Sequence, residues 1–145
     1  MRKLVLLPFI LVLLIGCKVN DDKLTFSEIN PEKASSSKVN EFITNIEINE
    51  DGTGNGIYVM NAGKEKLYLY LSQEFLEKGN SFGPFDVIEE ENSLNIYLNT
   101  IPDKKDESKM ERKLYEVNRK QEYEFLRVYK NGEETYIQMV LVGGE

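Results

Sequence analysis

Four groups of residues have types and spacings that could do chemistry. Asp51-Gly-Thr53-Gly-Asn55-Gly56 places side-chain oxygens at alternate positions and a glycine at the sixth, as the start of a calcium loop does. Such a loop needs about six to eight oxygens and a bidentate acid at its twelfth position, where this chain has Ala62. Asp51, Thr53 and Asn55 are therefore an incomplete metal set, and a glycine-rich turn is the expected reading. Ser35-Ser36-Ser37-Lys38 has the Ser-x-x-Lys spacing of acyl-enzymes, a motif that works at the start of a buried helix with partner motifs elsewhere. It falls here in a low-complexity stretch and reads as coincidence. Glu89-Glu90-Glu91 offers carboxylates for acid–base work, but neighbours on a strand point to opposite faces and a turn leaves them solvated. Tyr58, Tyr68, Tyr70 and Tyr97 lie where a wet sheet face would display aromatic rings to a sugar or a protein. Tyrosine is also simply a good strand residue for a half-buried face, and that structural reading is the favoured one.

Absences narrow the chemistry further. The chain has no histidine, which removes serine–histidine triads, histidine bases and histidine-ligated metals. Its single cysteine, Cys17, rules out an internal disulfide, so a packed core must hold the fold. The expectation is a non-catalytic module without a cofactor. The net charge of −7 becomes −9 once Arg2 and Lys3 are removed with a leader, and an acidic surface is repelled by nucleic acid and by anionic headgroups. Nucleic acid is not an expected partner, and any hold on a membrane has to come from something other than charge.

That hold is legible at the amino terminus. Arg2 and Lys3 precede an apolar run from Leu4 to Ile15, the layout of a signal peptide and well short of the roughly 20 residues that span a bilayer. The run closes on Leu14-Ile15-Gly16-Cys17, which resembles the lipobox of bacterial lipoproteins. The resemblance covers residues 1–17 alone. It implies cleavage between Gly16 and Cys17, a thioether-linked diacylglycerol on Cys17, and a further acyl chain such as palmitate on the new amino terminus. Two acyl chains suffice for stable anchoring without help from the domain. The implied address is extracytoplasmic, on the outer face of the plasma membrane. Abundant Lys, Glu, Asn and Ile with few Ala suit a low-GC, Gram-positive bacterium.

The elements that must position these residues follow from periodicity. Residues 1–16 read as the signal peptide and 17–40, polar with Pro31 and the serine tract, as a flexible tether. Leu24-Thr25-Phe26 could alternatively dock as an edge strand. Residues 41–145 read as the folded domain. Its first strand is expected where Phe42, Thr44, Ile46 and Ile48 alternate with polar residues. Ile57–Asn61 and Leu67–Leu71 form a hairpin, with Ile57 opposite Leu67 and with Tyr68 and Tyr70 on the wet side. Ser72 caps one short turn. Phe85–Glu89 pairs with Leu94–Asn99, and Lys113–Val117 adds a further strand beyond the polar loop 100–112. Asn131-Gly132 between alternating runs is a type I′ hairpin signal that sets Val128 against Thr135, Leu126 against Ile137, Arg127 against Tyr136 and Tyr123 against Val140. Met139 and Leu141 continue its core face.

Short strands with one apolar face each are best buried as two packed sheets. The expected fold is an all-β antiparallel β-sandwich, immunoglobulin-like in layout, with a small partly open β-barrel as the alternative. The expected function is a lipid-tethered binding or accessory module whose partner is an extracytoplasmic protein or a cell-wall component. A small-ligand or calcium binder and a carboxylate- or tyrosine-dependent enzyme are the alternatives.

Overall fold

A computed structural model describes residues 24–103 and 111–143. The leader, Gly16 and Cys17 lie outside the described residues.

Among the described residues, nine strands form two sheets. β1 (Thr25–Ile29), β6 (Lys113–Asn118), β3 (Lys66–Leu71), β2 (Ile57–Ala62) and β9 (Met139–Gly143) lie side by side in that order as sheet A. Sheet B runs β4 (Asn80–Glu90), β5 (Ser93–Pro102), β7 (Phe125–Lys130) and β8 (Glu133–Thr135). The β-sandwich expected from the sequence is the fold, and among the described residues no closed barrel forms. Hairpins make most neighbours antiparallel, but β2–β9 and β5–β7 run parallel because the chain changes sheet before reaching β7 and again before β9.

The alternation in the strands builds the core. Ile57, Val59, Leu67, Leu69 and Leu71 of sheet A meet Leu94, Ile96, Leu98 and Val128 of sheet B, all buried. Burying a side chain of this size is worth about 1.5–3 kcal/mol. The apolar face of the first hairpin is as expected, but its register differs: Ile57 lies opposite Leu71 and Val59 opposite Leu69. The turn that caps it is wider than a tight loop around Gly63.

Two expectations for the amino-terminal part are corrected. The 17–40 tether is in fact built from residue 25 onward: β1 pairs with β6, a short 3-10 turn follows at Pro31–Lys33, and α1 (Ser37–Asn49) begins inside it. The expected first strand from Phe42 to Ile48 is this helix. Phe42 and Ile46 fit either reading, since a spacing of four returns a side chain to one face in both periods. Val39 and Ile43 complete the i, i+3, i+4, i+7 stripe and are buried, whereas Ile48, which strand alternation would bury, is 73% exposed.

At the carboxyl end Asn131 and Gly132 both take positive φ, 51° and 84°, as a type I′ turn requires. Val128 faces Thr135 as expected. The hairpin then stops at Thr135, and the chain crosses to sheet A. The expected pairings Leu126–Ile137, Arg127–Tyr136 and Tyr123–Val140 therefore do not form; Met139 packs on the α1 side of sheet A, and Leu141 sits at an exposed edge.

Candidate functional site

The outer faces of the two sheets part company over their tyrosines. On sheet A, Tyr58, Tyr68 and Tyr70 point away from the sandwich core and were expected on a wet surface. Instead α1 lies across them. Val39, Phe42, Ile43 and Ile46 pack onto Tyr58, Met60, Tyr68, Tyr70 and Leu114 in a second core. Phe42 and Tyr70 meet edge to face with ring centroids 6.5 Å apart. The Tyr70 hydroxyl donates to Glu47 Oε1 of the helix at 3.1 Å, and Arg112 pairs with the same carboxylate. Burial, reinforced by the Glu50 and Glu74 carboxylates, pushes the Tyr58 phenol up to about 12. Burial raises Tyr70 and Tyr68 as well. These three tyrosines are neutral packing groups, and none belongs to an open binding surface.

A cleft of about 410 Å³ opens beside them, lined by Glu32, Glu47, Glu50, Tyr70, Gln73 and Arg112. Among the described residues its one cation is Arg112, held between Glu47 and Glu32, the latter at 3.7 Å. The guanidinium is thereby committed to tying the 3-10 turn and α1 to the start of β6.

Among the described residues no helix lies over sheet B. Side chains that alternate with Leu94, Ile96 and Leu98 project outward, and the parallel register sets Asn95 beside Arg127 and Tyr97 beside Tyr129. The Tyr97 and Tyr129 rings stack with centroids 4.9 Å apart and planes within 12°. Arg127 lies over the Phe125 ring at 5.6 Å, a cation–π contact. From β4, Asp86 is opposite Tyr97, and Ile88, 42% exposed, is opposite Asn95. The result is a face with two stacked, half-buried tyrosines, an exposed phenylalanine and isoleucine, a buried Asn95 between them, and three carboxylates, Asp86, Glu90 and Glu134, against Arg127, the single cation there among the described residues. Tyr97 is the single member of the expected quartet that the fold leaves on an open face. Its partner Tyr129 was not singled out from the sequence, because the β5–β7 pairing that joins them is non-local.

The remaining sequence candidates are engaged elsewhere. Asp51 Oδ1 accepts from the Thr53 backbone N–H at 3.0 Å and from its hydroxyl, and these bonds hold the Asp51 carboxyl below its usual range. Asn55 Nδ2 donates to the Tyr136 carbonyl at 2.6 Å, while its Oδ1 caps the Ile57 N–H at 3.2 Å. The loop's oxygens thus organise backbone, and among the described residues no group of three or more acidic, cysteine or histidine side chains is placed to hold a metal. Gly56 has a steric role: its φ is +73°, and a Cβ there would come within 2.3 Å of the Phe75 backbone nitrogen.

The three consecutive glutamates diverge. Glu89 pairs with Lys120 at 3.7 Å, Glu90 accepts from Asn95 Nδ2 at 3.1 Å, and Glu91 sits on the turn with φ 50°. Ser35 and Lys38 do flank a helix start, contrary to the low-complexity reading, but Ser35 precedes the Ser36 cap, Lys38 lies in α1's first turn, and both are exposed.

With this geometry in place, no family model, curated protein or solved structure matches the chain.

Proposed function

We propose that this protein is a lipoprotein anchored through Cys17 to the outer face of a bacterial plasma membrane, where it serves as a non-catalytic binding or accessory module. The observation that carries the reading is Leu14-Ile15-Gly16-Cys17 directly after an apolar run with a basic start. A diacylglycerol on that thiol supplies membrane affinity at about 0.8 kcal/mol per buried methylene, so the acidic domain can face away from the membrane. The binding surface is the open face of sheet B around Tyr97, Tyr129, Arg127 and Phe125. Exposed aromatics and arginine are the side chains that most often dominate the energy of a protein interface. The partner class is an extracytoplasmic protein or a cell-wall component.

Two measurements test the two halves. Metabolic labelling with a fatty-acid analogue should mark the native chain and leave Cys17→Ala unmarked; an unlabelled native chain removes the anchor. Affinity capture from detergent-solubilised membranes should recover a partner with the native chain and lose it with Tyr97→Ala/Tyr129→Ala. Equal recovery with both forms removes the sheet B face from the proposal.

A further inference from the structure

Every open sheet carries edge strands, and unpaired backbone groups on an edge invite another strand unless something blocks them. Three of the four edges here are blocked. β1 carries Glu28, paired with Lys113 at 3.3 Å. β4 contains Pro84, Asp86, Glu89 and Glu90, and its register breaks between Phe82 and Phe85. β8 is three residues long, two of them glutamate. The fourth edge, β9, reads Met-Val-Leu-Val-Gly with no charge and no proline.

β9 is also poorly covered. Register with β2 places Val140 and Val142 on the inward side of sheet A, beside Val59 and Asn61, where a sandwich normally buries its side chains. Because β8 is so short, sheet B does not reach over them. Val140 is 48% exposed and Val142 81%, with Leu141 at 36% and neighbouring Tyr136 at 61%. The strand is nevertheless held firmly in position. Gln138 N–H donates to the Ile57 carbonyl at 2.8 Å, Gln138 Oε1 accepts from the Gly56 N–H at 3.1 Å, and Asn55 holds the Tyr136 carbonyl. Little ordering entropy remains to oppose pairing on its free side.

The occupant can be argued by reach and by charge. Residues 17–23 enter the fold at β1, four strands away across sheet A. Crossing four spacings of about 4.8 Å uses roughly 19 Å of the about 24 Å that seven extended residues span, leaving almost nothing to pair. That stretch also carries Lys18, Asp21, Asp22 and Lys23, a poor match for an apolar strand. Residues 104–110 are fixed at both ends, between β5 and β6. A second copy of this acidic chain fits instead. Copies repel one another over most of their surface, and β9 is the edge where strand can meet strand without opposing like charges.

We propose that two copies pair antiparallel through β9 across a two-fold axis near Leu141. Val140 of one copy then faces Val142 of the other, and the two inner-face valine pairs cover each other where sheet B falls short. A two-fold interface of this kind closes on itself and consumes the free edge in both copies.

The test uses residues 18–145 in excess non-ionic detergent, so that neither lipid, the apolar leader nor the native thiol contributes. Directly opposed residues of an antiparallel pair have Cα atoms about 4.5–5.5 Å apart, within disulfide range. Leu141→Cys should give a covalent dimer on mild oxidation, and Ile48→Cys, more exposed than Leu141 but on α1, should not. Sedimentation should show a concentration-dependent dimer that Val142→Lys weakens at least about tenfold, with an unchanged far-ultraviolet spectrum and melting temperature. A chain that remains monomeric with no cross-link at 141, equal cross-linking at 48 and 141, or open-ended oligomers would each overturn the proposal.

Discussion

Sheets A and B each turn a row of tyrosines outward, and the chain treats the two rows differently. Tyr58, Tyr68 and Tyr70 lie under α1 and are almost inaccessible. Tyr97 and Tyr129 stack on a face that no element covers among the described residues. The strands themselves give no hint of the difference, since Leu67–Leu71 and Leu94–Leu98 both alternate aliphatic and polar or aromatic residues. What separates them is a 13-residue segment that precedes both in the chain and has one apolar stripe to bury. An outward tyrosine row is therefore packing or surface according to whether a helix is available to cover it.

The largest effect should come from removing the helix's grip. Phe42→Ala, at a fully buried position against Tyr70, should cost about 3–5 kcal/mol by denaturant titration. Tyr97→Ala or Tyr129→Ala should each cost about 1 kcal/mol or less, as for a cross-strand pair on a wet face. Similar costs at the two sites would end the distinction between the faces.

Gly56→Ala should also destabilise by well over about 1 kcal/mol, because the position needs both a positive φ and the absence of a Cβ. Gly63→Ala, with a positive φ but open space around it, should cost less. Thermal melts of the two variants would rank them.

Alkaline pH sharpens the comparison from the electrostatic side. Tyr58 is raised to about 12 by burial and by Glu50, and Tyr115 and Tyr123 are also raised to about 12, chiefly by burial. In the unfolded chain tyrosines ionise near pH 10, while the folded state holds these protons longer. Between about pH 10 and about pH 12 the unfolded state thus binds fewer protons, and stability should fall as pH rises through that window. Below about pH 10 this contribution is fully present. Denaturant titrations that stay flat from about pH 9 to about pH 11.5 would contradict the buried placement.

On the capped face itself, the effect of Tyr70→Phe should be far smaller than that of Phe42→Ala. The substitution removes one hydrogen bond to Glu47 and should cost about 0.5–1.5 kcal/mol while leaving the helix in place.

Much of the sandwich was legible because its signals are local. Asn131-Gly132 fixes its own turn, and Leu94, Ile96 and Leu98 mark their own face. The helix was not, because Phe42 and Ile46 satisfy both periods and Thr44 and Ile48 happen to extend the alternation. Weighing Val39 and Ile43 against Ile48 would have tipped the balance. The parallel pairs β2–β9 and β5–β7 join segments about 80 and 30 residues apart, and no nearest-neighbour pattern encodes them. For that reason Tyr97 could be named from the sequence, while Tyr129, Arg127 and Phe125 could be placed beside it only from the fold.

β1 has one further consequence, a mechanical one. It is the first strand of the described chain, it has a single neighbour, and α1 follows it directly. Tension applied upstream of Leu24 reaches this five-residue ladder before any other part of the molecule. Detaching β1 uncovers Phe85, on which Phe26 packs; the same pull then acts on α1, and its release wets Tyr58, Tyr68 and Tyr70. A domain hung by its amino end would thus begin to yield on the sheet A side, leaving the stacked pair on the opposite sheet undisturbed.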